Sequence, residues 1–510
     1  MPEIDWVLLV DWDGDRLFAN ANSDISTDII SIPSYTFGKN YASQVKGRSV
    51  AGRLSVVLRN DLNVYSRFNA GSPIAGLILP NRRVRLRGST LAGPVTTQWE
   101  GNLDDIQPDP RDGGANRARL TALGPLAAIQ AEKTYVDQRE TILTGTAVTA
   151  ILDADGFPAA DRSIDGGQTT MKRWFVPGDF GSNATQKVAE TESGLMRETK
   201  TGDIQYEDRH HRMKADHLTV QATYSDALGA AIAVKKVPER DPLKEVANII
   251  TAKVKKWTTS AEQTLWTLHE TGADSPALGA GVTRVYVAHY PSPDAPPENS
   301  AGSATWIIPV MVTDFTANSK ADGSGTDLTA SISIGALVKG TDQVEIPVIN
   351  GAAVTAFITA LKIRGTVLVE TNPATVQFTS SASKAKYQPR RYTLPAEFIP
   401  TTDEADDYCR YVAAQIDEPF PVLTAEFDAN ESQSAIQEVL DRDVSDKITL
   451  NLVAASGLGI NEPFFVERIR VRVTEGGIVK YRAELSPATV TGLIIVLDTG
   501  PGLDTGILGY

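Results

Sequence analysis

The sequence predicts a mainly β protein with minor α, an α+β chain in which two similar small β-barrels flank an α+β domain and a β-sandwich-like domain. Three observations carry that expectation. Apolar and polar residues alternate around Leu54, Val56 and Leu58, and again around Val84 and Leu86, as in strands with one buried face. Helical patterns and Gly/Asp-rich loops replace the alternation after Gly124-Pro125. Near the C-terminus the order of the first strands returns.

Taken in order, Trp6 to Val10 reads as a strand and Asp11-Trp-Asp-Gly-Asp15 as its turn. Short strands and turns from Ile25 to Ser49 lead into Leu54–Asn60, Val84–Leu86, Thr96–Leu103 and Arg117–Leu123, which stop at Gly124-Pro125. Four or more such strands can curl into a closed barrel, a shape without edge strands. Ala147–Leu152 and Asn183–Glu190 read as short helices. Leu243, Val246, Ile250, Val254 and Trp257 recur at helical spacing, with Pro242 suited to a first turn, so an amphipathic helix is expected over 241–257.

From Thr264 to Ser380 the chain is rich in Val, Ile and Thr, with loops at 291–297 and at Asp322-Gly-Ser-Gly-Thr326, and this predicts a sandwich-like domain. Asp403-Glu-Ala-Asp-Asp407 opens a helix at its positive end, with Ala405, Tyr408, Cys409, Val412 and Ile416 as the buried stripe, and Pro419 and Pro421 end it. Val422–Phe427, Ile448–Leu452, Phe464–Val473 and Val479–Leu485 then return to strands. In order and in their small-residue-Pro stop they parallel the first barrel. The expected division is 1–125, 126–218, 219–402 and 403–510.

The 510 residues suit roughly three or four domains, at about 100–200 residues each. A hydrophobic share of 42% and a charged share of 22% are those of an ordinary globular protein. With 49 basic against 63 acidic residues the formal charge is −14, which argues against a general nucleic-acid coat. One cysteine, Cys409, excludes an intrachain disulfide framework and a cysteine zinc cluster. The N-terminus carries acids where a signal peptide needs basic residues, and no apolar run reaches the roughly 20 residues of a membrane span, so synthesis in a cytoplasm without membrane insertion is expected.

The inventory of chemistry is thin. There is no G-x-S-x-G elbow, H-E-x-x-H, phosphate loop or dinucleotide fingerprint, so no catalytic residue and no cofactor is expected. Asp11, Asp13 and Asp15 invite a calcium reading, but an EF-hand places glycine after the third acid and needs a later bidentate glutamate. A turn is the plainer reading, and the sequence leaves ion binding there open. His210 and His211, in the one histidine cluster, would point to opposite faces of a strand and could not share a metal without a bend. Glu190, Glu192, Glu198, Glu207 and Asp208 could in principle supply a glycosidase pair, which needs two carboxyls at a defined separation. Surface solubility is the simpler role for them. Arg83, Arg85 and Arg87, and again Arg468, Arg470 and Arg472, lie on one side of a strand. They read either as a solvent face paired with local acids or as a contact with acidic neighbouring subunits, with DNA contact a distant third.

The run GRLSVVLRND at 52–61, SPIAGLILPNRRVRLRG at 72–88 and GNLDDIQPDP at 101–110 resemble the start of tail-tip hub proteins of tailed bacteriophages, often labelled minor tail proteins. ILDADGFP at 151–158, RSIDGGQTT at 162–170, AETESG at 189–194 and YEDR at 206–209 are similar to their second region. GAGVT at 279–283, VTDF at 312–315, IRG at 363–365, LSPA at 485–488 and the terminal Gly509-Tyr510 extend the resemblance over nearly the whole chain. It implies two tube-type barrels and a structural, non-enzymatic baseplate hub of the virion. The hub would be a homotrimer whose pseudo-six-fold ring joins tail tube to tip and lines the channel for DNA ejection. Its implied partners are distal tail and tube proteins, the tape-measure protein and tip fibre or receptor-binding proteins, with DNA only in transit. A distal tail or receptor-binding protein is the near alternative, and a cell-wall hydrolase the remote one.

Overall fold

A computed structural model describes residues 2–488 apart from 41–42, 44, 46, 92, 111–114, 131–132, 238, 241–245, 291–299, 340–342, 371–372 and 420–421. Pro242, Leu243, the 291–297 loop, Pro421 and Gly509-Tyr510 therefore lie outside the described residues. The chain is mainly β.

Its first six strands are β1 (Asp5–Val10), β2 (Ile29–Lys39), β3 (Ser49–Arg59), β4 (Arg83–Ser89), β5 (Thr96–Asp109) and β6 (Arg117–Leu123). The alternation read from the sequence is the burial pattern: Leu54, Val56, Leu58, Val84 and Leu86 are fully buried, while Arg83, Arg85 and Arg87 face outward. The next segment holds β7 (Lys133–Leu143), α1 (Thr144–Ala154), β8 (Arg162–Ile164), β9 (Thr170–Phe180), α2 (Gly181–Thr191), β10 (Leu195–Glu198), β11 (Ile204–Glu207) and the short α3 (Ala215–Leu218). The helices pack on the β7–β9 ribbon around Val148, Ile151, Trp174 and Val188.

Next come β12 (Ala222–Ser225), β13 (Glu239–Arg240), β14 (Ile249–Val254), β15 (Trp257–Thr259), β16 (Gln263–Thr267), β17 (Ala277–Leu278), β18 (Thr283–His289), β19 (Ser300–Ile307) and β20 (Phe315–Asn318). After β21 (Ile332–Ile334), β22 (Val338–Lys339), β23 (Gln343–Asn350), β24 (Ala356–Glu370) and β25 (Ala374–Thr379) follow α4 (Ser381–Tyr387), β26 (Arg391–Thr393) and α5 (Thr402–Ile416). Strand β24 gathers β15, β16, β17, β19 and β20 into one sheet, β23 gathers β18, β21 and β22 into another, and the two share one core around Tyr286, Ile346, Trp306 and Ile363.

The expected helix over 241–257 is corrected by the structure, which places strands β14 and β15 there. Val246, Ile250 and Val254 are four residues apart, a spacing that returns to the same face of a strand as well as of a helix. The arbiter is tertiary: β14 lies between β25 and β26, and Ile250, Ala252 and Val254 are covered by Ala405, Cys409, Val412 and Ile416 of α5. The start of α5 is capped by Thr401, whose side chain accepts from the Glu404 N–H at 3.2 Å.

The chain closes with β27 (Val422–Asp428), α6 (Gln433–Asp441), β28 (Lys447–Leu452), β29 (Ile460–Val473) and β30 (Val479–Pro487). These strands and the first six do not form two separate barrels. They belong to one 12-stranded sheet, joined where β2 pairs antiparallel with β29. The reason lies in strand length. Along one edge of the long β29, Ile460–Phe465 pairs with β28, and beyond a bulge at Glu467 the residues from Arg468 to Val473 pair with β2.

Within that sheet the neighbour order of the first half, β1-β4-β5-β6-β3-β2, matches that of the second, β12-β28-β29-β30-β27-β13. The chain visits the strands in the same sequence in both. One pairing differs: β1 runs antiparallel to β4, whereas β12 runs parallel to β28. The whole excursion from β14 to α5 is inserted between the second and third strands of the second unit. One apolar core, including Leu54, Leu86, Ile436, Leu450 and Leu485, underlies both units.

Candidate functional site

The six arginines singled out from the sequence fall into two different settings. On β4, Arg85 meets the buried Glu100 carboxylate at 2.5 and 3.2 Å and lies 4.5 Å from the Phe18 ring centroid, while Arg83 reaches both Glu100 and Asp161 at 3.4 Å. These two are paired within the chain. Arg87 is half-buried, opposite Val7 and Thr97.

On β29, Arg468 is half-buried and stands opposite Gly38 and Glu484, whereas Arg470 and Arg472 are exposed. Their neighbours were not singled out from the sequence. Arg470 and Arg472 line an open cleft of about 460 Å³ with Lys235, Lys236, Lys480 and Arg482, against Glu426 and Asp428. Alternation of Lys480 and Arg482 along β30 was a legible signal; Lys235 and Lys236 arrive from a distant part of the chain.

A second polar cluster is internal. Arg212, leaving the α+β segment, grips Glu467 at 2.7 and 3.0 Å, and Lys39 and Ser486 reach the same carboxylate at 3.7 and 2.6 Å. Burial pushes the Glu467 carboxyl up, but Arg212 and Lys39 overcome it and hold it below its usual range. Glu207 pairs with Arg197, accepts from Ser445 at 2.6 Å, and is held down to about 2 despite its burial. A cavity of about 300 Å³ adjoins this cluster, with Met213, Leu218, Tyr411 and Phe465 among its walls.

His210 and His211 lie on a turn with one 3₁₀ turn, not on a strand, because the Asp208 carbonyl and carboxylate tie down the His211 and His210 N–H groups. His211 Nδ1 lies 2.7 Å from Asp165, and its ring is 5.0 Å from that of His217. Among the described residues no group of three His, Cys, Asp or Glu side chains is arranged to hold a metal ion.

The acids considered for catalysis all have partners within the chain. Glu192 accepts from Thr144, Gln168, Thr169 and Tyr206 at 2.6 to 2.9 Å, and Glu190 pairs with Arg48 at 2.8 Å. Glu198 accepts from the Gly52 and Leu126 N–H groups at 2.6 and 2.7 Å, and Asp208 accepts from Gln168 at 2.8 Å. Asp11 is buried and accepts from the Gly14 and Arg16 N–H groups, Asp13 accepts from Asn20, and Asp15 caps Leu17, so the three acids serve a local bend. Cys409 is wholly buried and its thiol is pushed up to about 11 by that burial. The Asp322–Thr326 loop is a turn closed by the Ser319 N–H on the Thr326 carbonyl at 2.9 Å. No helix among the described residues is long and apolar enough to cross a membrane.

No protein-family model and no curated protein matches the chain. Solved structures do. It is similar to a 43 kDa tail protein of prophage MuSo2 from Shewanella oneidensis, with 10% identity over 95% of this chain and 98% of that one and a TM-score of 0.48. It is similar to a tail protein from Neisseria meningitidis, with 6% identity over 95% and 97% and a TM-score of 0.49. A prophage tail protein from Listeria monocytogenes follows at 8% identity over 95% of each chain and a TM-score of 0.41. These three solved structures, each matched along 95% of this chain, are tail proteins, two of them from prophages.

Proposed function

We propose that the chain is a structural hub of a phage tail tip or baseplate, and that three copies form a central ring joining the tail tube to the tip around a channel. The sequence resemblance supplies the assembly. One observation carries the geometry: two six-stranded units with the same chain order and neighbour order lie side by side in one sheet. Three chains then present six similar units, which lets a three-fold tip seat on a six-fold tube under closed rotational symmetry.

In this reading the tube units are residues 1–125 and a second unit assembled from about 219–240 and 422–488, with the β14 to α5 excursion outside the ring. The role is mechanical, without catalysis, in the virion. The ring partners are further copies of the chain, distal tail and tube proteins, and the tape-measure protein. DNA passes through without being held.

Reconstruction of tail particles tests the reading. A three-fold central ring at the tip, with both units facing one axis, is the expected result. A six-fold ring of this chain would make it a distal tail protein, and a peripheral position a receptor binder; either overturns the hub. Saturable release of soluble fragments from host cell walls, lost on mutating one acid, would overturn the non-enzymatic role.

A further inference from the structure

We infer that the outer face of the second unit, where β29 and β30 meet Lys235 and Lys236, docks an extended, carboxylate-rich segment of another protein. In the β29–β30 register Arg470 stands opposite Arg482, and Arg472 opposite Lys480. Directly opposed residues on antiparallel strands share a face, and like charges there repel. The chain tolerates two such pairs next to each other on an exposed surface.

The same opposition recurs once on the first unit, there too with a carboxylate on one member only, but as a single pair. Arg59 stands opposite Arg117 between β3 and β6, and Glu475 comes in at 2.5 Å to pair with Arg117. On the second unit the carboxylates at hand are already engaged. Asp428 pairs with Lys235 at 2.6 Å and Lys480 at 3.8 Å, and Glu426 with Arg482 at 3.5 Å. Arg470 and Arg472 have no ion-pair partner among the described residues, and the cleft they line holds six cations against two carboxylates. In a chain of formal charge −14, this face is basic against the overall balance.

The chemistry of the missing partner follows from geometry. Arg470 and Arg472 are two residues apart on a strand, roughly 7 Å, which is the spacing of alternate side chains on any extended segment. Two guanidinium forks at that spacing match two carboxylates at alternate positions of a strand or extended loop. Nucleic acid fits less well. Single-strand binders stack bases on exposed aromatic rings, and the two aromatic residues of this cleft, Phe427 and Tyr481, are only 2% and 1% exposed.

The partner sought is a neighbouring subunit of the assembly proposed above, but the face can be tested alone, so its failure is separable from failure of the ring. The probe is a fluorescently labelled peptide of alternating Glu and Thr, titrated with the purified full chain at low and physiological salt. Saturable binding that weakens with salt is expected. The double variant Arg470→Thr with Arg472→Thr weakens it roughly tenfold or more. The variant's Tm stays level or rises, because repulsion has been removed and threonine suits an exposed strand; a purely structural role would lower it. Lys480→Thr, on the neighbouring strand, gives a second and smaller loss. No binding by the wild-type chain, equal binding by the double variant, or duplex DNA displacing the labelled peptide at lower concentration than unlabelled peptide does would each overturn the inference.

Discussion

The Arg212 guanidinium and the Glu467 carboxylate form a forked pair at 2.7 and 3.0 Å that pins the α+β segment to the bulge of β29, with the carboxylate wholly buried. The bulge is where β29 passes from β28 to β2, so one ion pair sits where three parts of the chain converge. Arg212 also lies 4.7 Å from the Phe465 ring centroid, which shields the pair on one side.

Removing one partner should therefore cost far more than a surface ion pair does. Arg212→Met leaves a buried carboxylate with Lys39 as its remaining cation, and a loss of about 3 kcal/mol, at the lower end for a broken buried pair, is expected in urea unfolding. The Glu467 carboxyl is depressed in the folded chain, so its contribution is present above the unfolded value of about 4.3 and is lost as pH falls through the folded value. The wild-type chain should lose stability below about pH 4 more steeply than Arg212→Met does. Parallel acid limbs for the two proteins would contradict this account.

Glu198 should act with the opposite sign. Burial pushes its carboxyl up to about 7, against the Leu126 and Gly52 N–H groups that pull it down. A raised carboxyl holds its proton in the folded chain over a range where the unfolded chain has lost it, so stability falls as pH rises from about 4.3 to 7. The full effect is about 4 kcal/mol. Glu198→Gln should be less stable at pH 5, because its amide faces one of the two N–H donors, yet show a flatter profile between pH 5 and 7.5. Equal slopes for variant and wild type would sink the assignment.

Much of the local structure was legible in the sequence, and the long-range joins were not. Leu54, Val56 and Leu58 announce a one-faced strand because burial on a pleat has period two, and the acids from Asp403 to Asp407 announce a helix start because their attraction to its positive end is local. The β2–β29 junction has no such local mark: it depends on β29 outrunning β28, which becomes apparent only when both are placed. Ile250 and Val254 suggest a helix in the sequence and sit on a strand in the structure, because a four-residue spacing serves either period. The outward arginines were legible as a pattern, but whether each meets a carboxylate depends on distant residues such as Glu100 and Asp161.

Cys409 offers a probe of the α5 layer. Its thiol is buried between α5 and β14 and pushed up to about 11, so it should resist alkylation at pH 8 in the native chain and react fully in denaturant. Partial urea that exposes Cys409 before the strands of the large sheet lose amide protection would show that the α5 layer unfolds as its own unit. Cys409→Ser should lower stability by about 1–3 kcal/mol, since it sets a hydroxyl in an apolar site.

Gly38 is the narrowest point of the join between the two units. It lies in β2 opposite Arg468, with φ at +114°, a region that disfavours side chains. A Cβ built there would collide with the Glu467 carbonyl oxygen and come within 2.8 Å of the Arg468 Cα, both of which are backbone atoms that no side-chain rotation can move aside. Gly38→Ala should therefore cost more than the roughly 1–3 kcal/mol of backbone strain alone. The damage should be local in a telling way. Amides of β2 and of Arg468–Val473 should lose hydrogen-exchange protection first, while β4, β5 and β6 in one unit and β27, β28 and β30 in the other keep theirs, because each of those strands has partners within its own unit. Gly76, also at positive φ but with open space around it, is the control: Gly76→Ala carries the strain without the collision and should leave the junction protected. If both variants lose protection uniformly, the two units unfold as one body and the junction is not a seam between them.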